Sequence, residues 1–181
     1  MSISRCCFAA TVLSLLLITP PLARAEGGEQ MDNPAFAAWS KFNIGSSETL
    51  SAELQGANPQ APKMTMEMVR KLIEKADDHV TIEVTTTIDV AGQKKEMPPR
   101  NQNVPAKMEK KDVKSSGTED VEAAGKKYTC KVYDVKGFSA QNPDATVKLW
   151  VNDEIPGGLV KMEAQSPRGT MTSLLKSFET K

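Results

Sequence analysis

The chain has 181 residues, of which 23 are basic and 23 acidic, so its formal net charge at neutral pH is zero. A chain without excess positive charge lacks the electrostatic footprint of a protein that binds nucleic acid or an anionic membrane surface, so we expect neither partner. With one histidine and three cysteines, it also offers no set of ligands at zinc spacing.

Residues 1–25 have the features of a secretory signal peptide. A positively charged start precedes an apolar run, Phe8 to Ile18, and Ala23-Arg24-Ala25 supplies small residues where a signal peptidase reads them. The run is shorter than the roughly 20 residues of a membrane-spanning helix. We therefore expect cleavage after Ala25, export to the periplasm or the medium, and no membrane span in the mature chain.

Removal of the signal changes the charge and the cysteine content. Two basic residues and no acidic residue leave with it, so the mature chain is slightly acidic, and Cys6 and Cys7 leave as well. Cys130 remains as the single cysteine, and no intrachain disulfide is expected. Its alternation with Tyr128 and Val132 predicts an inward, inert thiol. A redox or dimer-forming thiol is the alternative.

The mature chain starts with a polar segment, 26–33, which we predict to be flexible, and continues as a single β-rich domain over 34–181. A short helix is predicted at Pro34–Phe42, because Asn33 is a suitable N-cap and proline suits the first helical position. Apolar and polar residues then alternate over Thr49–Leu54, which predicts a strand.

The stretch 63–76 fits both a helix and a strand. Three of its methionines alternate as in a strand, but this phase fails at Arg70 unless a bulge lies near Met68-Val69. The methionines are Met64, Met66 and Met68. We favour the strand, because the next segment is an unambiguous one.

The clearest element is His79–Val90, where apolar and polar residues alternate over twelve positions. This period predicts a long antiparallel strand with one solvated face. Ala91-Gly92-Gln93 is the predicted hairpin turn. The polar stretch at about 94–117 contains three prolines and many lysines, so we predict an exposed excursion with one short edge strand.

Turn signals separate the remaining predicted strands. These are 118–123, 128–135, 147–151, 159–164 and 170–179. Seven to nine strands at hairpin spacing, with one or two short helices, predict a mainly β (α+β) fold, a strongly curled antiparallel meander or half-barrel. So few helical residues cannot cover the whole apolar side of the sheet, which leaves a concave face for a ligand or partner.

Two groups of residues are candidates for ligand binding. Met64, Met66 and Met68 would line one side of a strand, where they fill the core or line a pocket. Because thioethers are soft ligands, the same three residues form an alternative Cu(I) site. Trp150 points away from its apolar strand neighbours, and it either lines a cavity mouth or a contact surface, or packs under a helix or the long 94–117 stretch.

No catalytic set is recognisable. His79, the single histidine, lies beside Asp78 at a predicted turn, and no G-x-S-x-G nucleophile elbow accompanies it. Adjacent carboxylates such as Asp77-Asp78 are ordinary in turns. No glycine-rich phosphate loop occurs. We therefore expect a protein without enzymatic activity, catalytic residues or a cofactor.

The passage Val147–Glu163 resembles part of the periplasmic lipoprotein carriers and sorting factors of the Lol type. In both, a strand with an aromatic residue meets an acidic, proline-containing turn and an apolar strand returns. The hairpin Gly125–Cys130, followed by the Pro156-Gly-Gly turn, is also similar to uncharacterised exported proteins. The resemblance implies a curved half-barrel with helices as a lid and an apolar concavity for acyl chains. The carriers contain more helix than this chain.

Three functions are compatible with these features. The first is a non-catalytic envelope protein whose curled sheet binds a hydrophobic small molecule, such as a lipid or an acyl chain. The second is a structural or interaction module whose partner is another envelope protein. The third is a copper protein that binds Cu(I) through Met64, Met66 and Met68.

Overall fold

The structure is a computed structural model that describes residues 29–58, 60, 63–109, 113–136, 145–167 and 169–181. The predicted signal peptide and the loop predicted from Gly137 to Pro143 lie outside these residues. Within the described ranges, no helix has the length and apolar character needed to cross a bilayer.

One helix and eleven strands make up the described ranges. The helix is α1 (Pro34–Ser40), and the strands are β1 (Gln30–Asp32), β2 (Ser47–Gly56), β3 (Met64–Lys75), β4 (His79–Val90), β5 (Gln93–Pro105), β6 (Lys107–Glu109), β7 (Val113–Ala123), β8 (Lys126–Lys136), β9 (Thr146–Val151), β10 (Leu159–Ser166) and β11 (Gly169–Glu179). The predicted mainly β fold class is confirmed.

Nine strands form one antiparallel sheet in the order β5-β4-β3-β2-β11-β10-β9-β8-β7, and β1 pairs with β6 separately. The sheet curls without closing into a barrel. Strand β7 returns towards β10 and β11, and the backbone N–H of Ala124 donates to the carbonyl oxygen of Leu175 at 3.2 Å. The predicted curled antiparallel sheet is therefore confirmed.

Two tight hairpins share one turn geometry. Ala91 and Gly92 connect β4 to β5 with φ of 53° and 86°, and Ala124 and Gly125 connect β7 to β8 with φ of 49° and 72°. Two consecutive residues with positive φ are typical of type I′ turns, whose twist matches that of the flanking strands. The repeated Ala-Gly pair therefore determines where both hairpins reverse.

The stretch at about 94–117 is exposed and contains the predicted edge strand, but this strand is long rather than short. Residues 93–105 form edge strand β5, which is hydrogen-bonded to β4 along its length, and β6 and the start of β7 follow. An edge strand with solvated side chains needs no apolar alternation, so its sequence carries no strand period. Pro98 and Pro99 lie where the pairing with β4 shifts register, between Val84 and Thr86, and this irregularity tolerates residues without an N–H.

The described part of the segment 26–33, which was predicted to be flexible, contains a short strand. Gln30–Asp32 pairs with Lys107–Glu109. The N–H of Asn33 donates to the carbonyl oxygen of Ala106 at 2.9 Å, and its Oδ1 accepts the N–H of Ala35 at 3.0 Å. Asn33 is thus the N-cap that the sequence predicts, and it ties α1 to the sheet edge.

The ambiguous stretch 63–76 is a strand, as favoured, but its bulge lies elsewhere. The pairing of β3 with β4 shifts register between Leu72 and Glu74, not near Met68-Val69. Arg70 stays in the apolar phase of β3 because it forms an ion pair with the buried Glu48 of β2. No break in phase is therefore needed before Arg70.

The core consists of two clusters. The first lies in the curled half of the sheet and comprises Leu50, Val121, Ala123, Tyr128, Cys130, Val132, Trp150, Ile155, Val160 and Leu175. The second includes Trp39 of α1 and comprises Trp39, Leu72, Val80, Ile82, Val84 and Val104. Helix α1 therefore covers only the end of the sheet that contains Leu72 and Ile82.

Candidate functional site

Two rows of mostly apolar residues cross the sheet on one of its sides. Side chains of residues paired across an antiparallel ladder point to the same side. The first row is Val113, Val135, Val147, Ala164, Met171, Leu54, Met64 and Val90. The second is Tyr133, Leu149, Met162, Ser173, Ala52, Met66 and Ile88. We call the surface formed by these two rows the apolar face.

Parts of the apolar face are open to solvent. Val113, Met64 and Val90 are 40%, 39% and 37% exposed. Between the ends of the first row lies a depression of about 240 Å³, whose lining includes Leu54, Met64, Ala164 and Met171. Exposed apolar surface of this kind is typical of ligand or partner sites.

The three candidate methionines lie on one side of β3. Met64 and Met66 belong to the apolar face, and Met68 lies in the next row, paired with Leu50 and Thr86. Met68 packs against the core cluster beneath α1, whereas Met64 is exposed. The structure therefore brings Met64 to the open surface, leaves Met66 half-buried and packs Met68 against the core. Ligand binding by these residues stays a prediction.

Trp150 lies on the opposite side of the sheet from the apolar face. Its ladder partners are Val132 and Lys161, and it is only 4% exposed. The indole Nε1 donates to Oε2 of Glu119 on β7 at 2.7 Å. The Nζ atoms of Lys148 and Lys161 lie 4.8 and 4.5 Å from the ring centroid. Trp150 is therefore packed beneath the Glu119 side chain of β7, and neither a helix nor the 94–117 stretch provides this cover.

The carboxylate of Glu119 covers the indole of Trp150 and binds both Trp150 and Lys148. Its Oε1 accepts a hydrogen bond from Nζ of Lys148 at 2.8 Å, and the bonds from Lys148 and Trp150 hold the pKa of Glu119 below its usual value. The same bond to Glu119 raises the pKa of Lys148. Both groups are therefore charged at neutral pH and bound to each other.

A larger cleft of about 880 Å³ lies at the ends of the five strands β7 to β11. Its polar lining consists of Lys114, Asp134, Lys136, Thr146, Lys148, Glu163, Gln165, Thr170 and Thr172. Its remaining lining belongs to the apolar face and consists of Val113, Val135, Val147, Ala164 and Met171. We call it the lysine cleft. No local sequence pattern predicts this cleft, because its residues come from five strands whose adjacency only the tertiary structure reveals.

A buried ion pair lies beneath α1. Glu48 has no exposed surface, and the guanidinium of Arg70 both binds its Oε1 and lies 5.7 Å from the ring centroid of Trp39. Burial raises the pKa of Glu48 to about 7, against the lowering effect of Arg70. In the described ranges, Oε2 of Glu48 and Nε of Arg70 have no hydrogen-bond partner. The hydrogen bonds of the pair therefore offset only part of the free-energy cost of removing the two charges from water.

The remaining candidate groups are unremarkable in their surroundings. Cys130 is free and buried, and burial raises the pKa of its thiol, in line with the predicted inert residue. Nδ1 of His79 lies 2.7 Å from Oδ1 of the exposed Asp78. Among the residues that the structure describes, no group of three or more His, Cys, Asp or Glu side chains is arranged to hold a metal ion.

Comparison with known proteins adds a distant neighbour. No protein-family model matches the chain, and no curated protein matches it. Among solved structures, it is similar to a DUF1329 family protein from Desulfovibrio piger, with 9% identity and a TM-score of 0.33 over 83% of this chain and 94% of the other. A similarity of this size carries no argument about function, and it lends no support to the resemblance to Lol-type carriers.

Proposed function

We propose that the protein is a non-catalytic, exported binding protein that holds an acyl chain or a similar apolar ligand against the apolar face. The observation that carries this proposal is the first row, in which apolar residues succeed one another across eight strands. Val113 and Val90 at its ends and Met64 within it remain exposed. Val135 and Val147, which follow Val113 in the row, are only 6% and 2% exposed, so the open apolar surface lies around Met64 and Val90, and exposed apolar surface of this kind is typical of binding sites.

The dimensions and energetics suit a hydrocarbon chain. Adjacent strands lie about 4.8 Å apart, so the row extends over roughly 34 Å. A bilayer core about 30 Å thick holds two opposed chains, so one chain fits within the row. Each methylene withdrawn from water contributes about 0.8 kcal/mol, and Met side chains adapt to an irregular occupant.

Uptake of a fluorescent fatty acid by delipidated protein tests the proposal. We expect Met64→Glu to weaken binding about tenfold, because it places a charge on the apolar face. Val69→Glu is the matched control: Val69 is 37% exposed and lies on the opposite side of the same strand, and binding should not change. Absence of uptake by the unmodified protein, or equal effects of the two substitutions, would contradict the proposal.

A Cu(I) site is the second candidate, because the three methionines do lie on one side of β3. Leucine preserves their volume and removes the sulfur, so a variant with Leu at positions 64, 66 and 68 separates the two functions. If the protein binds acyl chains, this variant keeps fatty-acid uptake. If it binds copper, a Cu(I) titration of the unmodified protein shows a site that the variant lacks.

The alternative is a structural or interaction module that uses an exposed face or edge of the sheet, and pairing at the β5 edge is the part of it with less support. Strand β5 is an edge of the large sheet, but Pro98 and Pro99 interrupt its donors, and Lys94, Lys95 and Arg100 add positive charge. Prolines and charges on an edge strand oppose pairing with another chain. The apolar face is therefore the better-supported binding surface.

A further inference from the structure

A buried hydroxyl group without a partner lies in the apolar face. Ser173 of β11 belongs to the second row, where its ladder neighbours are Met162 and Ala52. It is only 2% exposed, and in the described part of the chain its Oγ has no hydrogen-bond partner. A buried hydroxyl that is left unpaired destabilises the fold, because it has lost its hydrogen bonds to water. In a mostly apolar surface, such a group indicates contact with a ligand atom that can pair with it.

Ser173 lies between longer side chains that can move. Ser173 and Ala52 are short, and each is only 2% exposed. The half-buried Met162 flanks them on β10, and the half-buried Met66 flanks them on β3. Met171, two residues before Ser173 on the same side, is also half-buried and lines the depression of the apolar face. Because methionine has three rotatable bonds and adapts to its surroundings, a ligand in the depression can displace these side chains and reach Ser173.

The distance from the open part of the apolar face to Ser173 suits one acyl chain. The first row places an apolar residue on each of four neighbouring strands, namely Val90 of β4, Met64 of β3, Leu54 of β2 and Met171 of β11. These strands are separated by three inter-strand spacings, or roughly 14 Å. One leaflet of a bilayer core is about 15 Å thick. A chain that lies along the row from Val90 therefore ends close to Met171 and Ser173.

The surroundings of Ser173 restrict the group that can pair with it. Its described neighbours on this side of the sheet are uncharged, and they are Met162, Ala52, Met171 and Leu175. A carboxylate at this place would be buried without a counter-charge, which is costly. A ligand hydroxyl would leave one of the two O–H groups without an acceptor, whereas a carbonyl oxygen needs only the donor that Ser173 supplies.

From this juxtaposition we propose that the ligand is a neutral acyl ester whose carbonyl oxygen accepts a hydrogen bond from Oγ of Ser173. Its hydrocarbon chain lies over Leu54, Met64 and Val90. This inference rests on the proposed function, since it names the class of ligand for the same surface.

Binding of methyl palmitate, octadecane and palmitate to the full chain tests the inference, because the ester and the alkane have equally long chains and differ in the carbonyl. Displacement of a fluorescent fatty acid measures the three affinities. In Ser173→Ala we expect methyl palmitate to bind about tenfold more weakly, since its carbonyl loses the donor, while binding of octadecane is unchanged. Ser51→Ala is the matched control: it removes an exposed hydroxyl from the opposite side of β2 and should behave like the unmodified protein.

Thermal denaturation without ligand is the second measurement. The hydroxyl of Ser173 is buried and lacks a partner among the described residues, so its removal relieves a desolvation cost. Ser173→Ala should therefore raise the Tm by roughly 2–4 °C. A lower Tm would show that the hydroxyl is already paired within the protein, and would overturn the inference.

The outcomes of the binding experiment separate the two proposals. An unchanged affinity of Ser173→Ala for methyl palmitate, or an equal loss for octadecane, overturns the ester site and leaves the apolar face as a binding surface. Binding of palmitate without binding of methyl palmitate has the same consequence. Failure of all three ligands to bind overturns the proposed function and this inference together.

Discussion

Arg70→Met is expected to lower the free energy of unfolding by about 1–2 kcal/mol at pH 8, because the carboxyl of Glu48, with its pKa at about 7, then takes up a proton at a cost of about 1.4 kcal/mol per pH unit. The substitution retains the apolar stem of the side chain and removes the guanidinium that binds Glu48. Glu48 is wholly buried, so water cannot replace that contact. Urea denaturation followed by circular dichroism measures the change.

The loss should depend on pH in a defined direction. Burial holds the pKa of Glu48 at about 7 in the folded protein, above its ordinary value of 4.5. The folded state therefore binds the extra proton between these values, and stability falls as pH rises through this window. Without Arg70 the pKa of Glu48 rises further, because Arg70 is what lowers it. The difference between variant and unmodified protein should thus be large at pH 8 and small at pH 5.

The double variant Glu48→Gln/Arg70→Met is the control for this prediction. It removes both charges at similar volume, and neutral replacements of buried ion pairs are often close to neutral in stability. We expect most of the stability to return at pH 8, with little dependence on pH. A loss in Arg70→Met that is as large at pH 5 as at pH 8 would show that Glu48 is not its cause.

Gly157→Ala is expected to destabilise the protein by about 2–4 kcal/mol, from overpacking and a strained backbone together. Gly157 has φ of 77°, and a Cβ atom there would lie 2.7 Å from Oε1 of Glu48 and 2.7 Å from Cε2 of Trp39. The added methyl group must displace either the buried carboxylate or the indole that lies over Arg70. Both responses disturb the contact between α1 and the sheet.

Gly125→Ala separates the two contributions. Gly125 has a similar φ of 72° but nothing within 4 Å of an added Cβ, so only the backbone cost of about 1–2 kcal/mol applies. Thermal and urea denaturation of both variants give the comparison. Equal losses for the two glycines would mean that the close approach to Glu48 and Trp39 has no energetic consequence.

The Glu48–Arg70 pair shows which features of a buried site a sequence pattern can predict and which it cannot. Glu48 and Arg70 each occupy the apolar phase of a strand, and this position is visible in the sequence. Two opposite charges in the apolar phases of neighbouring strands indicate a buried ion pair, but only once the strands are known to be adjacent. Arg70 was instead interpreted as a break in phase, which placed the bulge of β3 too early.

Strands whose side chains alternate between core and solvent were predictable, because alternation is local and a one-residue slip would reverse it. His79–Val90 and the methionine side of β3 belong to this class. The edge strand β5 and the pairing of Gln30–Asp32 were not predictable, since their stability comes from backbone hydrogen bonds to distant segments. Such bonds leave no trace in side-chain hydrophobicity.

By itself, the sequence determined the antiparallel β class and the N-cap of α1, and it favoured a strand in which Met64, Met66 and Met68 share one side. All three depend on contacts between near neighbours in the chain. Only the tertiary structure decided the strand order, the burial of Trp150 under Glu119 and the Glu48–Arg70 pair. These arise where segments far apart in sequence meet, and their placement depends on the packing of the whole sheet.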